Sequence, residues 1–334
     1  MTILRKVLFA AGFLAAFSPA LLRAQIGIEI SLNRDVYMLY EPVYACVTLR
    51  NDTGRPLLFG KNPKFQGFVL FEIKDRSGRV IPQRPDAGVS VTGLVLRPGE
   101  VKRMVIPIHK YYDLDRADRY TINAFVSHNL LPHEYQSRNI NFNIEKGVKI
   151  WSRTVGMADI EGVVEAKTPR TRTYTIRMLT EAPNKYYYLV VEDEKQTYGV
   201  MRVGREIGRE KFMAEVDMLS RIHLLVPISP KVFHYLSFSI DGENVNNSYW
   251  KISETIPMLY RDPVSGVVTR IGGSEARKGI DFRDPERDRK TVAQMMSADE
   301  LREAENAPPP KPVRNPGKIE LGRELETDGE SDKK

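Results

Sequence analysis

The sequence predicts an all-β protein: two tandem antiparallel β-sandwich modules behind an N-terminal signal peptide and ahead of a disordered C-terminal tail. Three observations carry this. Short runs with apolar residues at every second position recur along the chain, which is the period of half-buried strands. Glycine, asparagine and aspartate punctuate those runs at turn spacing. No sustained helical periodicity occurs across the first 120 or so residues after the leader. The length of 334 residues and a hydrophobic fraction of 42% suit two ordinary cores.

The N-terminus comes first. Arg5 and Lys6 precede an apolar stretch from Val7 to Phe17, and Ser18-Pro19 leads to Leu22, Arg23 and Ala24. A positive flank, a short apolar run, a helix breaker and a small residue predict a signal peptide over 1–24, cut after Ala24. The alternative is a retained anchor, since Val7 to Leu22 could just cross a thin bilayer. No later segment is apolar enough to span a membrane, and no cysteine at the cut offers a lipid anchor. The expected address is periplasmic or secreted.

The first module is expected over 25–145. Ile26, Ile28, Ile30 and Leu32 alternate with smaller or polar residues, and Val43, Ala45, Val47 and Leu49 repeat the pattern before an Asn51–Gly54 turn. Phe68 to Lys74 and Arg79 to Ile81 flank a hairpin turn at Asp75–Gly78. Val89 to Arg97, Val101 to Ile108, Tyr120 to Ser127 and Asn139 to Ile144 complete the series, with Pro98-Gly99 as a turn. Seven or so strands without a helix point to an antiparallel sandwich. Glycines at 147, 156 and 162 and weak periodicity predict a connector over 146–169, with Trp151 packing at the module junction.

The second module is expected over 170–271. Tyr174, Ile176 and Met178 alternate; Tyr186 to Glu192 and Tyr198 to Val203 form a hairpin; Ile222 to Val226, Val232 to Ile240 and Tyr249 to Ile252 follow. Glu210 to Leu219 is a helix candidate. From 272 to 334 the chain carries 13 basic and 15 acidic residues and a proline run at 308–310. That composition predicts a charged, flexible tail, with a capping box at Ser297–Glu300 opening a short helix near 298–305.

The stretches Tyr37–Val43, Val47–Asn51 and Gly54–Pro56 resemble the opening strands of bacterial secreted immunoglobulin-like and macroglobulin-type domains. Leu96–Glu100 and Asp118–Ala124 resemble their late strands. The resemblance implies an immunoglobulin-like sandwich over 26–145, with Tyr120 as a corner tyrosine whose hydroxyl ties back to the preceding loop. It departs from antibody-type domains in lacking paired cysteines and the tryptophan between them. Asp217–Leu225 and Phe233–Gly242 resemble strand pairs of fibronectin-type or propeller-like modules, and one such unit cannot close a propeller.

Composition and motifs narrow the function. The net charge of +7 is scattered with alternating sign, so no phosphate-binding stripe forms and nucleic acid is not an expected partner. One cysteine, Cys46, sits in an apolar strand and reads as a small buried hydrophobe; no cofactor is implied. His128 and His133 bracket a loop and are candidate binding residues. His223 and His234 could meet across a hairpin, but two ligands seldom hold a metal. Asp113, Asp115 and Asp118 approach the spacing of a calcium loop's early ligands, without its glycine or late glutamate. Tyr186, Tyr187, Tyr188, Tyr249 and Trp250 concentrate aromatics, which could stack on sugar or form a protein interface. No nucleophile elbow, Ser-x-x-Lys or zinc motif is present. The leading expectation is therefore an exported, non-catalytic protein that binds an envelope or extracellular protein. The alternatives are a carbohydrate- or cell-wall-binding module and a hydrolase with its site at the module junction.

Overall fold

The structure is a computed structural model that describes residues 26–60, 66–84, 91–156, 171–208 and 211–283. The predicted signal peptide and most of the tail, including the predicted helix near 298–305, lie outside these residues. Strands dominate. Among the described residues the helix is one turn, α1 (Ile108–Tyr111), at the end of a strand the sequence had suggested would run on to Ile108.

The first ten strands, in chain order, are β1 (Ile26–Leu32), β2 (Val36–Met38), β3 (Tyr44–Asn51), β4 (Leu57–Leu58), β5 (Gly67–Lys74), β6 (Val95–Leu96), β7 (Val101–Pro107), β8 (Asp118–His128), β9 (Tyr135–Gln136) and β10 (Ile140–Glu145). One sheet has the order β1-β3-β7 and a second β2-β10-β8-β5. Their inner faces share one core. Ala45, Val47 and Leu49 of β3 meet Val69, Phe71 and Ile73 of β5 and Tyr120, Ile122 and Ala124 of β8 there, each at every second position. Cys46, on the opposite face of β3, is buried beside Val105 and Tyr44, as a small hydrophobe would be.

Local chemistry sets the turns. Asp75 accepts hydrogen bonds from the Ser77 and Arg79 backbone N–H groups, and Gly78 supplies the positive φ of +83°. The Tyr120 hydroxyl donates to the Arg116 carbonyl at 2.8 Å while its ring stacks on Phe142. One pairing departs from an antiparallel scheme: β2 runs parallel to β10, Val36 opposite Asn143 and Met38 opposite Glu145. An alternating strand shows its inward face to sequence reasoning, but not the direction of its neighbour.

The remaining strands are β11 (Val148–Gly156), β12 (Thr171–Glu181), β13 (Asn184–Glu192), β14 (Thr197–Arg205), β15 (Met213–Val216), β16 (Ile222–Ser229), β17 (Val232–Phe238), β18 (Asn244–Lys251), β19 (Met258–Arg261), β20 (Val268–Ile271) and β21 (Ser274–Glu275). The sheets β11-β12-β13-β14 and β15-β16-β17-β18-β21 share a second core, and β19-β20 forms a separate ribbon. Tyr174, Ile176, Tyr187, Leu189 and Val191 meet Ile222, Leu224, Val226, Leu236 and Phe238 between the sheets. Gly204 of β14 permits their close approach, since a Cβ there would lie 2.5 Å from Val226.

Three boundaries differ from expectation. Residues 148–156 of the connector read over 146–169 are strand: β11 pairs with β12 from Val148↔Met178 to Gly156↔Thr171, so the link between β10 and β11 is Lys146-Gly147 alone. The two described glycines of that stretch mark its ends rather than a linker. The helix candidate Glu210–Leu219 instead contains β15, whose residues pair with β16. The tail does not begin at 272, because Ser274 and Glu275 add β21 to the second sheet and Phe282 packs on Val232.

The cores meet through a small cluster. Met38 packs with Leu179, Tyr186 and Tyr188. Arg34 donates to the Tyr188 hydroxyl at 2.6 Å and pairs with Glu41, whose carboxylate also accepts the Met38 N–H. Burial pushes the Tyr188 hydroxyl's pKa well above its ordinary value.

Candidate interaction surface

The structure places most of the sequence-predicted site residues inside. Alternation along β13 holds, but both its faces are covered: Tyr187 points into the second core, while Tyr186 and Tyr188 face Met38 at the junction. All three rings are at most 5% exposed, so they offer no stacking platform to a sugar. Arg202 lies 3.3 Å over the Tyr186 ring and completes its enclosure. Tyr249 is half-buried between His234 and Phe282. Trp250 is half-buried too, with the Arg270 guanidinium 3.2 Å above its ring and its own N–H donated to Ser248.

Three of the four histidines singled out are equally occupied. His128 is buried; its Nδ1 accepts the Leu130 N–H, which leaves Nε2 as the donor to the Leu58 carbonyl at 2.9 Å. His133 is exposed and lies apart from it in character. His223 and His234 do not come together. His223 pairs with Ser237 and Val226 with His234, an odd offset that turns the two rings to opposite faces of the sheet. His223 instead bridges Asp217 at 3.1 Å and Tyr235 at 2.8 Å, which ties the 217–221 turn to the sheet beneath it.

Asp113, Asp115 and Asp118 do not converge either. Asp113 is paired with Arg84 at 2.7 Å, Asp115 lies beside Arg116, and Asp118 accepts the Arg119 N–H. No group of three or more His, Cys, Asp or Glu side chains capable of holding a metal occurs among the described residues. Trp151 packs into the second core, so the junction lies at Tyr188 rather than at the tryptophan.

Two further polar features are structural in character. Arg172, 3% exposed, sits 3.2 Å over the Tyr198 ring between Asp193 and Asp241. The Tyr198 hydroxyl and the Lys195 and Gln196 N–H groups hold the Asp193 carboxyl down at about 2. An open groove of about 940 Å³ runs past Asp75, Arg76, Asp118, Arg119, Asn141 and Lys146. Its charges balance and no aromatic ring lines it.

The surface that sequence reasoning missed is the ribbon. In β19-β20, Met258 lies opposite Ile271 and Tyr260 opposite Thr269, all on one face; Leu259, Val268 and Arg270 share the other. The second face packs inward, Leu259 against Leu225, Phe233 and Tyr235. The first faces outward, with Met258, Tyr260, Val267 and Ile271 each more than 40% exposed. Ile256, Val264, Met218 and Leu219 extend this apolar surface, and the Met218 N–H donates to Gly266 at the ribbon's tip. All eight are between 41% and 95% exposed, and clustered exposed apolar side chains of this kind mark interaction sites. Two strands of four residues, each carrying apolar groups on both faces, show no clean alternation, which is why the pattern was not legible.

Comparison with known proteins adds little. No family model and no curated protein matches the chain. Among solved structures, the sporulation control protein Spo0M from Bacillus subtilis aligns at 9% identity and a TM-score of 0.23. That alignment covers 53% of this chain and 89% of that one.

Proposed function

We propose that the chain is an exported, non-catalytic binding protein, built of two tandem immunoglobulin-like β-sandwiches, that meets a protein partner in the cell envelope or outside the cell. The observation that carries this reading is the outward apolar face of the β19-β20 ribbon. Exposed apolar surface on this scale costs solubility and is the usual mark of a docking site. The leader-like segment 1–24 supports export. Two cores, each between facing sheets, and the Tyr120 tie to Arg116 support the immunoglobulin-like assignment. The histidines and carboxylates that sequence reasoning singled out are largely engaged in turns, ion pairs and ring contacts, which favours binding over catalysis.

The test is crosslinking and pull-down from the intact envelope, comparing residues 25–334, residues 25–283 and the double variant Met258→Ser, Tyr260→Ser. The shorter chain ends after Phe282 because that ring packs on Val232. A specific protein captured by both chain lengths and lost in the variant is the expected result. Capture that requires residues 284–334 would move the contact to the tail. Capture of no protein by any of the three would overturn the reading and direct the search to polysaccharide.

A further inference from the structure

We propose that His128 is a latch that acid releases: the neutral ring holds the 129–134 loop against the first core, and a ring that takes up a proton lets the loop go. The inference stands apart from the β19-β20 ribbon and from the partner it meets.

The hydrogen bonds fix the ring's charge state. A backbone N–H donates and never accepts, so the Nδ1 that receives the Leu130 N–H at 3.0 Å carries a lone pair. Nε2 then carries the hydrogen given to the Leu58 carbonyl. This is the neutral imidazole in a single tautomer. In the imidazolium both nitrogens are donors. Its Nδ1–H would face the Leu130 N–H, donor against donor.

Packing leaves the ring little room to turn away. It is 4% exposed and meets Phe59 edge-on at 5.1 Å. Gly67 of β5 lies opposite it, and a Cβ there would come within 2.6 Å of the ring's Cδ2. No counter-charge compensates for a proton. Leu57 and Leu58 of β4, Phe59 and Gly67 are all uncharged. The titratable neighbours are Tyr135 of β9 and the loop's own His133 and Glu134, the last two exposed. Among the described residues the ring's hydrogen bonds go to Leu58 and Leu130, not to these groups. A buried unpaired cation and an orphaned N–H are both costly.

The loop is the part that yields. Leu130 is 47% exposed, and Pro132, His133 and Glu134 face solvent. Besides the Leu130 bond, the Leu131 N–H donates to the His128 carbonyl and the Asn129 N–H to that of Gln66. Once Leu130 swings out, water reaches the ring and solvates its charge. Leu131, packed on the first core, leaves with it.

Linkage sets the size of the effect. With the loop open, the imidazole titrates near its free value of about 6.5. If the proton enters only then, the opening constant grows about tenfold for each pH unit below that value. Between pH ~7.5 and ~4.5 it rises about 90-fold.

The experiment is hydrogen exchange on the full-length chain at both pH values, corrected for intrinsic exchange rates and resolved at Leu130 and Leu131. Protection there should fall about 90-fold, while the Gly242 N–H, bonded to the Ser239 carbonyl in a turn without histidine, keeps its own. His128→Gln retains an acceptor and a donor without titrating, and should abolish the fall; His133→Gln should leave it intact. A fall of less than about threefold would overturn the proposal. So would an equal fall at Gly242, or one that survives His128→Gln. Should His128→Gln misfold, the wild-type ring decides by its own titration. Ring protonation that shares its midpoint with loop exchange supports the latch. A ring that is protonated while Leu130 stays protected, or that stays neutral as the loop opens, refutes it.

Discussion

Replacing Arg34 with alanine tests how firmly the two cores are joined. The Arg34 side chain is 13% exposed and that of its partner Glu41 8%. The substitution leaves the Glu41 carboxylate with the Met38 N–H and no cation, and it removes the donor that meets the Tyr188 hydroxyl. Breaking a buried ion pair from one side costs about 3–5 kcal/mol; the residual exposure here brings the expected loss to about 2–4 kcal/mol. Tyr188→Phe removes the hydrogen bond and keeps the ion pair, so it should cost about 1–2 kcal/mol. The two tryptophans make the assay selective. Trp151 lies in β11 and Trp250 in β18, both beyond Lys146, so their fluorescence reports the second core while Arg34 belongs to the first. In urea, Arg34→Ala should lower the fluorescence midpoint by roughly 1 M, and Tyr188→Phe by about half of that. A fluorescence transition that coincides with the wild type, while circular dichroism loses an early phase, would show that the cores unfold independently. The reasoning from the ion pair would then fail.

Gly147→Ala should be more damaging than an ordinary surface substitution. Its φ is +62°, and a Cβ would lie 2.8 Å from Met38 and 2.9 Å from the Met178 carbonyl, so a loss of about 2–4 kcal/mol is expected in the same unfolding assay. Asp193→Asn should show a pH signature. The native carboxyl lies at about 2, below its ordinary value near 3.9, so its contribution is complete above pH ~4 and is lost as pH falls through about 2. The wild-type advantage in Tm should therefore be constant from neutral pH down to about 5 and shrink between about 4 and 2. A pH-independent difference would contradict this. Burial raises the pKa of the Cys46 thiol, so a thiol reagent should label the folded chain only as fast as it opens. Stoichiometric labelling within seconds under native conditions would refute that placement.

Much of the strand framework was legible because period-2 alternation is local. The residues that alternate in β1, β3, β5 and β8 are those that line the first core, and Pro98-Gly99 and Asp75–Gly78 turn as their chemistry requires. The tie from Tyr120 was implied by the resemblance of Asp118–Ala124 to the late strands of immunoglobulin-like domains. What alternation cannot give is the identity of whatever covers each face. Tyr186 and Tyr188 share one face of β13, but nothing local marks what covers it, because Met38 is some 150 residues away in the chain. The strand β11 was obscured by Gly147 and Gly156, one needed for a left-handed turn and the other at the strand's end. The ribbon escaped because its short strands carry apolar groups on both faces, and burial alone tells the outward face from the inward one.

The parallel pairing of β2 with β10 bears on how the first core carries load. Tension along the backbone enters β2 from Asp35 and leaves β10 at Lys146. In parallel strands those two points lie at opposite ends of the pair, so pulling slides one strand past the other. The Val36, Tyr37 and Met38 rungs are then stretched together rather than peeled apart in turn. The Arg34 and Met38 contacts to β12 and β13 stand across that same line of force. Force reaching the second core from the N-terminal side is thus shared between the Lys146-Gly147 peptide and a lateral brace. This is the mechanical design of a strut rather than of a hinge.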